Sequence, residues 1–548
     1  MMKAYERWLS KATLDPELIP ELKAMDEEAV KDAFYRDLTF GTGGLRAVIG
    51  AGVNRMNVYT VARATRGLAN DLRAREMSPS VVVGYDTRIK SDLFARVAAC
   101  VLAQSGIRVY MWPEPLPVPT VSFAIRYLHA SAGIMITASH NPSQYNGYKV
   151  YGADGGQITT EAAAEILVQI EQLDYFDMPI DLDQTVGAIP DAVLEAFLDE
   201  VKQQSVLFGD RVERDVSIVY TPLHGTGRKP VLRALKDSGF TNVTVVARQE
   251  QPDGHFLTCP YPNPEVREAM ALGLECCEQV GADLLLATDP DCDRCGIAVK
   301  DKAGYRLLTG NETGLLLLDF ICRQRISHGK MPAHPVLIKT IVTTDLAERI
   351  AQHYGVRTEN VLTGFKFIGE KIGLMEQQGR VSDYIFGFEE SYGYLSGSYV
   401  RDKDGVNAAL LICEMFAYYK TRGIGLAQRL NELYAAYGYS LNTLHSYTFE
   451  GAAGADEMAR VMRAFRADVQ TIGGFDVETR ADYSAGLDGL PPSNVLKFGL
   501  KGGGSVVVRP SGTEPKLKIY LSVAAPGQDE AEKAERQIQE DLEKRFIH

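Results

Sequence analysis

Long apolar runs are missing from this sequence. The most apolar stretch, Gly314 to Cys322, is interrupted by Asp319, and Met1 to Ser10 carries charges without an apolar segment of signal-peptide length. Neither a membrane span nor a secretory leader is expected, so the chain reads as cytoplasmic. Cysteine is sparse: the only close pairs among eight are Cys276-Cys277 and Cys292-x-x-Cys295, with no second CxxC to complete a zinc site. Reduced thiols are therefore expected. Positive charge is in deficit, 58 Lys and Arg against 71 Asp and Glu for a net charge of −13, which argues against a nucleic-acid or anionic-membrane role. A local basic pocket for a small anion is still compatible with that balance.

What is present is length, and polar loops at the ends of apolar runs. A chain of 548 residues, 45% apolar, is too long for one core and corresponds to about three or four domains of about 100–200 residues. In Gly133-Ile134-Met135-Ile136-Thr137-Ala138-Ser139-His140-Asn141-Pro142 an apolar run ends in a hydroxyl, an imidazole and a chain-breaking proline. This predicts a buried strand delivering Ser139 and His140 to a loop, where open α/β sheets carry their chemistry, although a hydroxyl-capped turn has the same composition.

Before that loop, Tyr5–Ala12 and Pro20–Tyr35 read as amphipathic helices leading into Phe40-Gly41-Thr42-Gly43-Gly44-Leu45-Arg46, whose glycines and Arg46 suit either an anion or a tight turn. A helix over Tyr59–Glu76 and a strand over Val81–Gly84 follow, the strand running into Tyr85-Asp86-Thr87-Arg88. After the loop, Tyr145–Tyr151 should fold back as a strand and bring Lys149 near Ser139, as a proton donor, a phosphate ligand or a solvated lysine. Helices over Glu161–Gln172 and Asp191–Gln204 flank an acidic connection, Asp174–Pro190.

The arrangement recurs. A strand over Val216–Tyr220 begins a second unit, in which Asp283–Ala287 runs into Thr288-Asp289-Pro290-Asp291-Cys292-Asp293-Arg294. Three carboxylates at alternating positions repel one another unless a cation lies between them, and hard oxygen ligands select Mg²⁺; capping aspartates in a polar turn are the alternative. In a third unit, Pro335–Val342 is a strand, Thr363-Gly364-Phe365-Lys366 a loop, and Tyr384–Gly387 a strand running into Phe388-Glu389-Glu390-Ser391, a set able to bind sugar hydroxyls or simply to be solvated. Arg401-Asp402-Lys403-Asp404-Gly405 then precedes a helix over Val406–Lys420, so Lys403 can meet an anion at a helix N-terminus.

The last hundred residues change character. Strands over Ser505–Val508 and Leu517–Val523 flank Arg509-Pro510-Ser511-Gly512-Thr513-Glu514-Pro515-Lys516, which combines fork donors, hydroxyls and free amides as a phosphate dianion requires, and a charged helix over Asp529–Phe546 closes the chain.

Together, Thr137–Pro142, Asp289–Arg294, Glu389–Ser391 and Arg509–Thr513 resemble, in the same order, the phosphoserine, metal, sugar and phosphate loops of the α-D-phosphohexomutase superfamily, the phosphoglucomutases and phosphomannomutases. The segments 40–46 and 401–405 further resemble the branch of long bacterial phosphoglucomutases and phosphopentomutase-like enzymes. The resemblance implies an α/β protein, heart-shaped around a central cleft, with three related domains (1–206, 207–306 and 307–440) and a smaller C-terminal α+β domain (441–548). It implies a phosphosugar mutase that interconverts hexose 1-phosphate and hexose 6-phosphate, glucose first, through phosphorylated Ser139 and a bisphosphate. Mannose or pentose phosphates are alternatives within that chemistry, and a non-catalytic sugar-phosphate sensor is the alternative outside it.

By the same carry-over, Ser139, Asp289, Asp291 and Asp293 would hold Mg²⁺, while Arg46, His140 and Lys149 would flank the transferring phosphoryl, with Lys149 as general base. Thr363, Gly364, Glu389 and Ser391 would hold the sugar, and Lys403, Arg509, Ser511, Gly512 and Thr513 the other phosphate. A hexose 1,6-bisphosphate activator, a small phosphosugar partner and a monomer or homodimer are expected. Cys292 stands where a small Ala or Gly is usual in the metal loop, and Ala47 where Gly is common; with Cys295 nearby, the metal loop is expected to be sensitive to thiol reagents.

Overall fold

The computed structural model describes residues 1–547 except 42, 178, 303, 450, 488 and 512–515. Four sheets succeed one another along the chain. The first has the order Leu45–Val48, Tyr145–Gly152, Ala132–Ile136, Ser80–Tyr85, Arg108–Met111, Gly187–Ala188. Its central strands are parallel and completely buried: Val81, Val82 and Val83 have no exposed surface, as helices covering both faces of a parallel sheet require. Tyr145–Gly152 returns antiparallel to Ala132–Ile136, with Lys149 opposite Met135, as the turn-and-strand pattern predicts.

The second sheet pairs Ile218–Thr221 with Leu284–Thr288 in parallel, and the third pairs Val336–Thr340 with Tyr384–Phe388 in parallel. In each of the three sheets, two adjacent parallel strands therefore end side by side and emit their polar loops from the same edge. The fourth sheet is antiparallel throughout, from Tyr439–Thr448 to Thr471–Ile472, and is backed by the helix Gln528–Leu542. It docks on the third through Ile341, Val342, Leu362, Tyr483 and Val507. Polar contacts reinforce the junction: Lys497 Nζ lies 2.9 Å from Asp345 Oδ1, and Ser505 Oγ donates to Asp345 Oδ2 at 2.8 Å.

Two sequence expectations need correction. The single helix expected over Pro20–Tyr35 is two helices, Leu18–Ala24 and Glu27–Phe34, because Met25 is extended and the Asp26 carboxylate accepts from the Ala29 amide at 2.8 Å to cap the second. The loop expected over residues 363–366 is shorter: Phe365 and Lys366 already belong to the helix Phe365–Gln377, with Gly364 at φ 118° as its N-cap. Among the described residues, no helix is long and apolar enough to cross a membrane.

Candidate active site

Ser139 follows the strand Ala132–Ile136 at φ 53°, a left-handed conformation unusual for a residue with a side chain. Local bonds hold it there. Its amide donates to Thr137 Oγ1 at 2.8 Å, and Thr137 Oγ1 donates to Asp86 Oδ2 at 2.6 Å. The Ser139 hydroxyl donates to Asp289 Oδ2 at 3.0 Å and lies 3.2 Å from His140 Nδ1. Burial, with the Arg294 and Arg46 cations, holds the His140 imidazole well below its ordinary range, so the ring is neutral near pH 7.

Asp289, Asp291 and Asp293 project from the end of Leu284–Thr288 with ligand oxygens within 4.8 Å of one another, and all three are essentially unexposed. Burial drives the Asp289 carboxyl well above its ordinary value, with Asp293 and Asp291 adding repulsion. Burial pushes Asp291 the same way, but the Lys149 and Lys403 ammoniums overturn it and hold Asp291 low. One hydrogen-bonded acid cluster thus contains carboxylates displaced in opposite directions. Asp291 Oδ1 and Asp293 Oδ1 are buried without a hydrogen-bond partner. Buried carboxylate oxygens left unmatched beside a serine hydroxyl fit a hard divalent cation.

Two of the expected site residues, Lys149 and Lys403, reach the acid triad. Lys149 Nζ lies 3.0 Å from Asp291 Oδ2 and 3.6 Å from Asp293 Oδ2. Burial disfavours its charge, but those acids more than compensate and raise its affinity for the proton, which favours the ammonium form. Lys403, expected at the distal phosphate, lies with Nζ 2.8 Å from Asp293 Oδ2.

Arg46 is exposed and donates to Asn141 Oδ1 at 3.2 Å, at the rim of the Ser139 loop. The preceding Gly44 is required: at φ 87°, a Cβ would fall 1.7 Å from the Tyr148 carbonyl oxygen. Glu389 is buried, and burial lifts its carboxyl to about 7 against the pull of Lys403. Ser391 is half-buried, and the Thr363 hydroxyl is buried with no hydrogen-bond partner beside the Gly364 cap. From the fourth sheet, Arg509 Nη2 donates to Tyr520 Oη at 3.3 Å, and its cation opposes the upward push of burial on Glu390. The Ser511 amide donates to the Lys516 carbonyl at 2.7 Å. Gly512 and Thr513 lie outside the described residues.

Four family models cover this sequence in order. Phosphoglucomutase/phosphomannomutase α/β/α domains I, II and III match residues 37–176, 195–304 and 309–437, and the C-terminal domain of the same family matches 450–540. The phosphoglucomutases of Staphylococcus haemolyticus and Staphylococcus aureus (strain USA300) are each 37% identical to the chain, over 90% of it and 91% of the former, and 91% of it and 92% of the latter. This chain belongs to the phosphoglucomutase/phosphomannomutase family. The fold agrees: a putative phosphomannomutase from Thermus thermophilus superposes with a TM-score of 0.70 at 24% identity, covering 93% of this chain and 99% of that one. The parafusin phosphoglucomutase of Paramecium, in an open form, gives 0.68 at 17% identity, covering 94% and 96%.

As a member of the phosphoglucomutase/phosphomannomutase family, the chain is a phosphotransferase mutase with a buried aspartate triad able to bind a metal. Two residues at this mutase's site appear in the sequence motifs but were assigned no role there. Arg294 stands between Glu265, 2.5 Å away, and Asp289, 4.0 Å away. Arg88 is buried behind the Ser139 loop. Their one signal was position, at the polar ends of buried strands. Conversely, the expected thiol sensitivity does not follow: Cys292 and Cys295 have no exposed surface, and burial raises both thiols.

Proposed function

We propose that this mutase interconverts glucose 1-phosphate and glucose 6-phosphate through a phosphoryl group carried on Ser139. The observation that supports this most directly is the 3.0 Å contact between the Ser139 hydroxyl and Asp289, inside a triad with unmatched oxygens. In the first half-reaction a sugar hydroxyl oxygen bonds to phosphorus as the phospho-Ser139 Oγ–P bond breaks, and the hydroxyl proton ends on Ser139 Oγ; in the second, Ser139 Oγ bonds to the other phosphorus of the bisphosphate as that sugar O–P bond breaks, and the proton returns to the freed sugar oxygen. His140 Nδ1, 3.2 Å from Ser139 Oγ and on a neutral ring, is within reach to carry the proton. Lys149, held charged by Asp291 and Asp293, neutralises the transferring phosphoryl with Arg46. Asp289, Asp291, Asp293 and the Ser139 oxygen would hold a divalent cation, Mg²⁺ by the hardness of these ligands, which would supply further charge neutralisation there.

Glu389, Ser391, Thr363 and Gly364 take the sugar hydroxyls; a carboxyl near 7 both donates and accepts around neutrality. Arg509, Ser511, Gly512 and Thr513 take the distal phosphate, which also competes with Asp293 for Lys403. A hexose 1,6-bisphosphate forms between the half-reactions and, supplied from outside, phosphorylates Ser139. The test is turnover of glucose 1-phosphate, mannose 1-phosphate and ribose 1-phosphate with Mg²⁺ and a trace of bisphosphate, alongside intact-mass measurement of Ser139. Glucose should be fastest and Ser139→Ala inert. Faster turnover of mannose or ribose phosphate reassigns the sugar, and binding without turnover of any of them makes the protein a sensor.

A further inference from the structure

The hydrogen bonds of Arg88 go to one loop. Its Nη2 donates to the carbonyls of Ser139 and Asn141, and its Nη1 to those of Pro142 at 2.9 Å and Tyr145 at 3.1 Å. Nε faces Asp86 Oδ2 at 3.3 Å, and that same carboxylate receives the Thr137 hydroxyl that braces the Ser139 amide. Four N–H groups therefore meet four carbonyls, and residues 139–145 wrap round a single planar cation. The whole side chain is buried, away from any substrate, with Nε making only the ion-pair contact to Asp86.

The Arg88 guanidinium also meets the second domain. It lies 5.0 Å from the centroid of Phe256, which is fully buried on the connection between the strand Val243–Val245 and the helix Arg267–Val280. That connection is pressed hard against the Arg88 segment: a Cβ on Gly254 would fall 2.7 Å from the Arg88 carbonyl carbon and 2.4 Å from the Ile89 amide. The unit that carries the aspartate triad is thus keyed, through Phe256 and Gly254, to the residue that shapes the nucleophile loop.

We propose that Arg88 is a positioning residue for the mutase reaction: it holds Ser139 in its left-handed conformation, and through Phe256 it sets the register between Ser139 and the aspartates of the second domain. The inference rests on the proposed role of Ser139 for its catalytic consequence. Lysine cannot substitute, because three donors on one nitrogen do not span four carbonyls in a plane. A misplacement of the nucleophile by about 1 Å costs roughly 100-fold in rate while leaving sugar binding alone.

The experiment compares full-length Arg88→Lys and Phe256→Leu with wild type, reading kcat and KM for glucose 1-phosphate and amide hydrogen exchange over residues 139–145. Arg88→Lys should lose roughly 100-fold in kcat with KM within about two-fold, and Phe256→Leu, which keeps the arginine, a smaller share; both should exchange faster across the loop. Wild-type kcat and unchanged loop exchange in folded Arg88→Lys would overturn the proposal, as would wild-type kcat and exchange in Phe256→Leu if Arg88→Lys does not fold. If the wild-type protein turns over no phosphosugar, the functional reading fails separately, and the exchange rates still decide whether Arg88 holds the loop.

Discussion

The Ser139 hydroxyl and the Asp289 carboxylate, from different sheets and 150 positions apart in sequence, lie 3.0 Å from one another. That contact joins the nucleophile loop to the acid triad. Ser139→Ala should therefore abolish mutase turnover, by at least about 1000-fold as for loss of a nucleophile, while leaving the fold intact. A coupled assay of glucose 6-phosphate formation reads the rate, and circular dichroism the fold.

The triad's unmatched oxygens predict a cation effect on stability as well as on rate. Excess Mg²⁺ should raise the unfolding midpoint and a chelator should lower it; binding at about 100-fold over Kd contributes about 2.7 kcal/mol. Asp291→Asn should weaken this response, and calorimetry with and without Mg²⁺ checks it.

Glu414 gives a pH-dependent prediction away from the site. It is 3% exposed, with one carboxylate oxygen unpartnered, and burial lifts it from 4.5 to about 7. Between those values the folded protein binds more protons than the unfolded chain, so this group's contribution to stability falls as pH rises. By pH 8 the cost reaches roughly 3 kcal/mol. Glu414→Gln should therefore be more stable than wild type at pH 8 and nearly equal to it at pH 5, as denaturant titration at the two values will show.

Thiol reagents should leave the folded enzyme active. Burial raises Cys292 and Cys295, whereas Cys276 is only half-buried. Mass analysis after native alkylation should find Cys276 modified first and Cys292 and Cys295 untouched, with Mg²⁺-dependent turnover retained; all eight cysteines should react after denaturation.

Gly314, in the helix Gly310–Ser327, packs where a Cβ would meet the Phe388 ring at 2.2 Å. Gly314→Ala gains helix propensity but overpacks this contact, and a net loss of about 1–3 kcal/mol is expected in urea unfolding.

Much of the site could be read from local pattern. Apolar runs such as residues 133–136 and 284–287 announce buried strands, and the polar residues just past their ends, Ser139 and Asp289 among them, mark where loops emerge. That patterning put Ser139, the aspartates and the Arg509 loop forward as candidates, and the resemblance of the four ordered loops to the phosphohexomutase superfamily supplied the fold class and the nucleophile role. Where local pattern failed, the cause was equally local: a single capping aspartate, Asp26, split one expected helix in two.

Tertiary structure decided what depends on partners distant in sequence. Asp291 and Asp293, more than 140 residues away, raise the affinity of Lys149 for its proton, and Lys403 lies against Asp293 for the same electrostatic reason. Arg88 became the centre of the Ser139 loop only when four carbonyls closed round it and Phe256 of another domain came to rest against it. Hydrophobic periodicity is written residue by residue along a chain. Charge state and side-chain orientation are set by burial and by neighbours that only folding brings together.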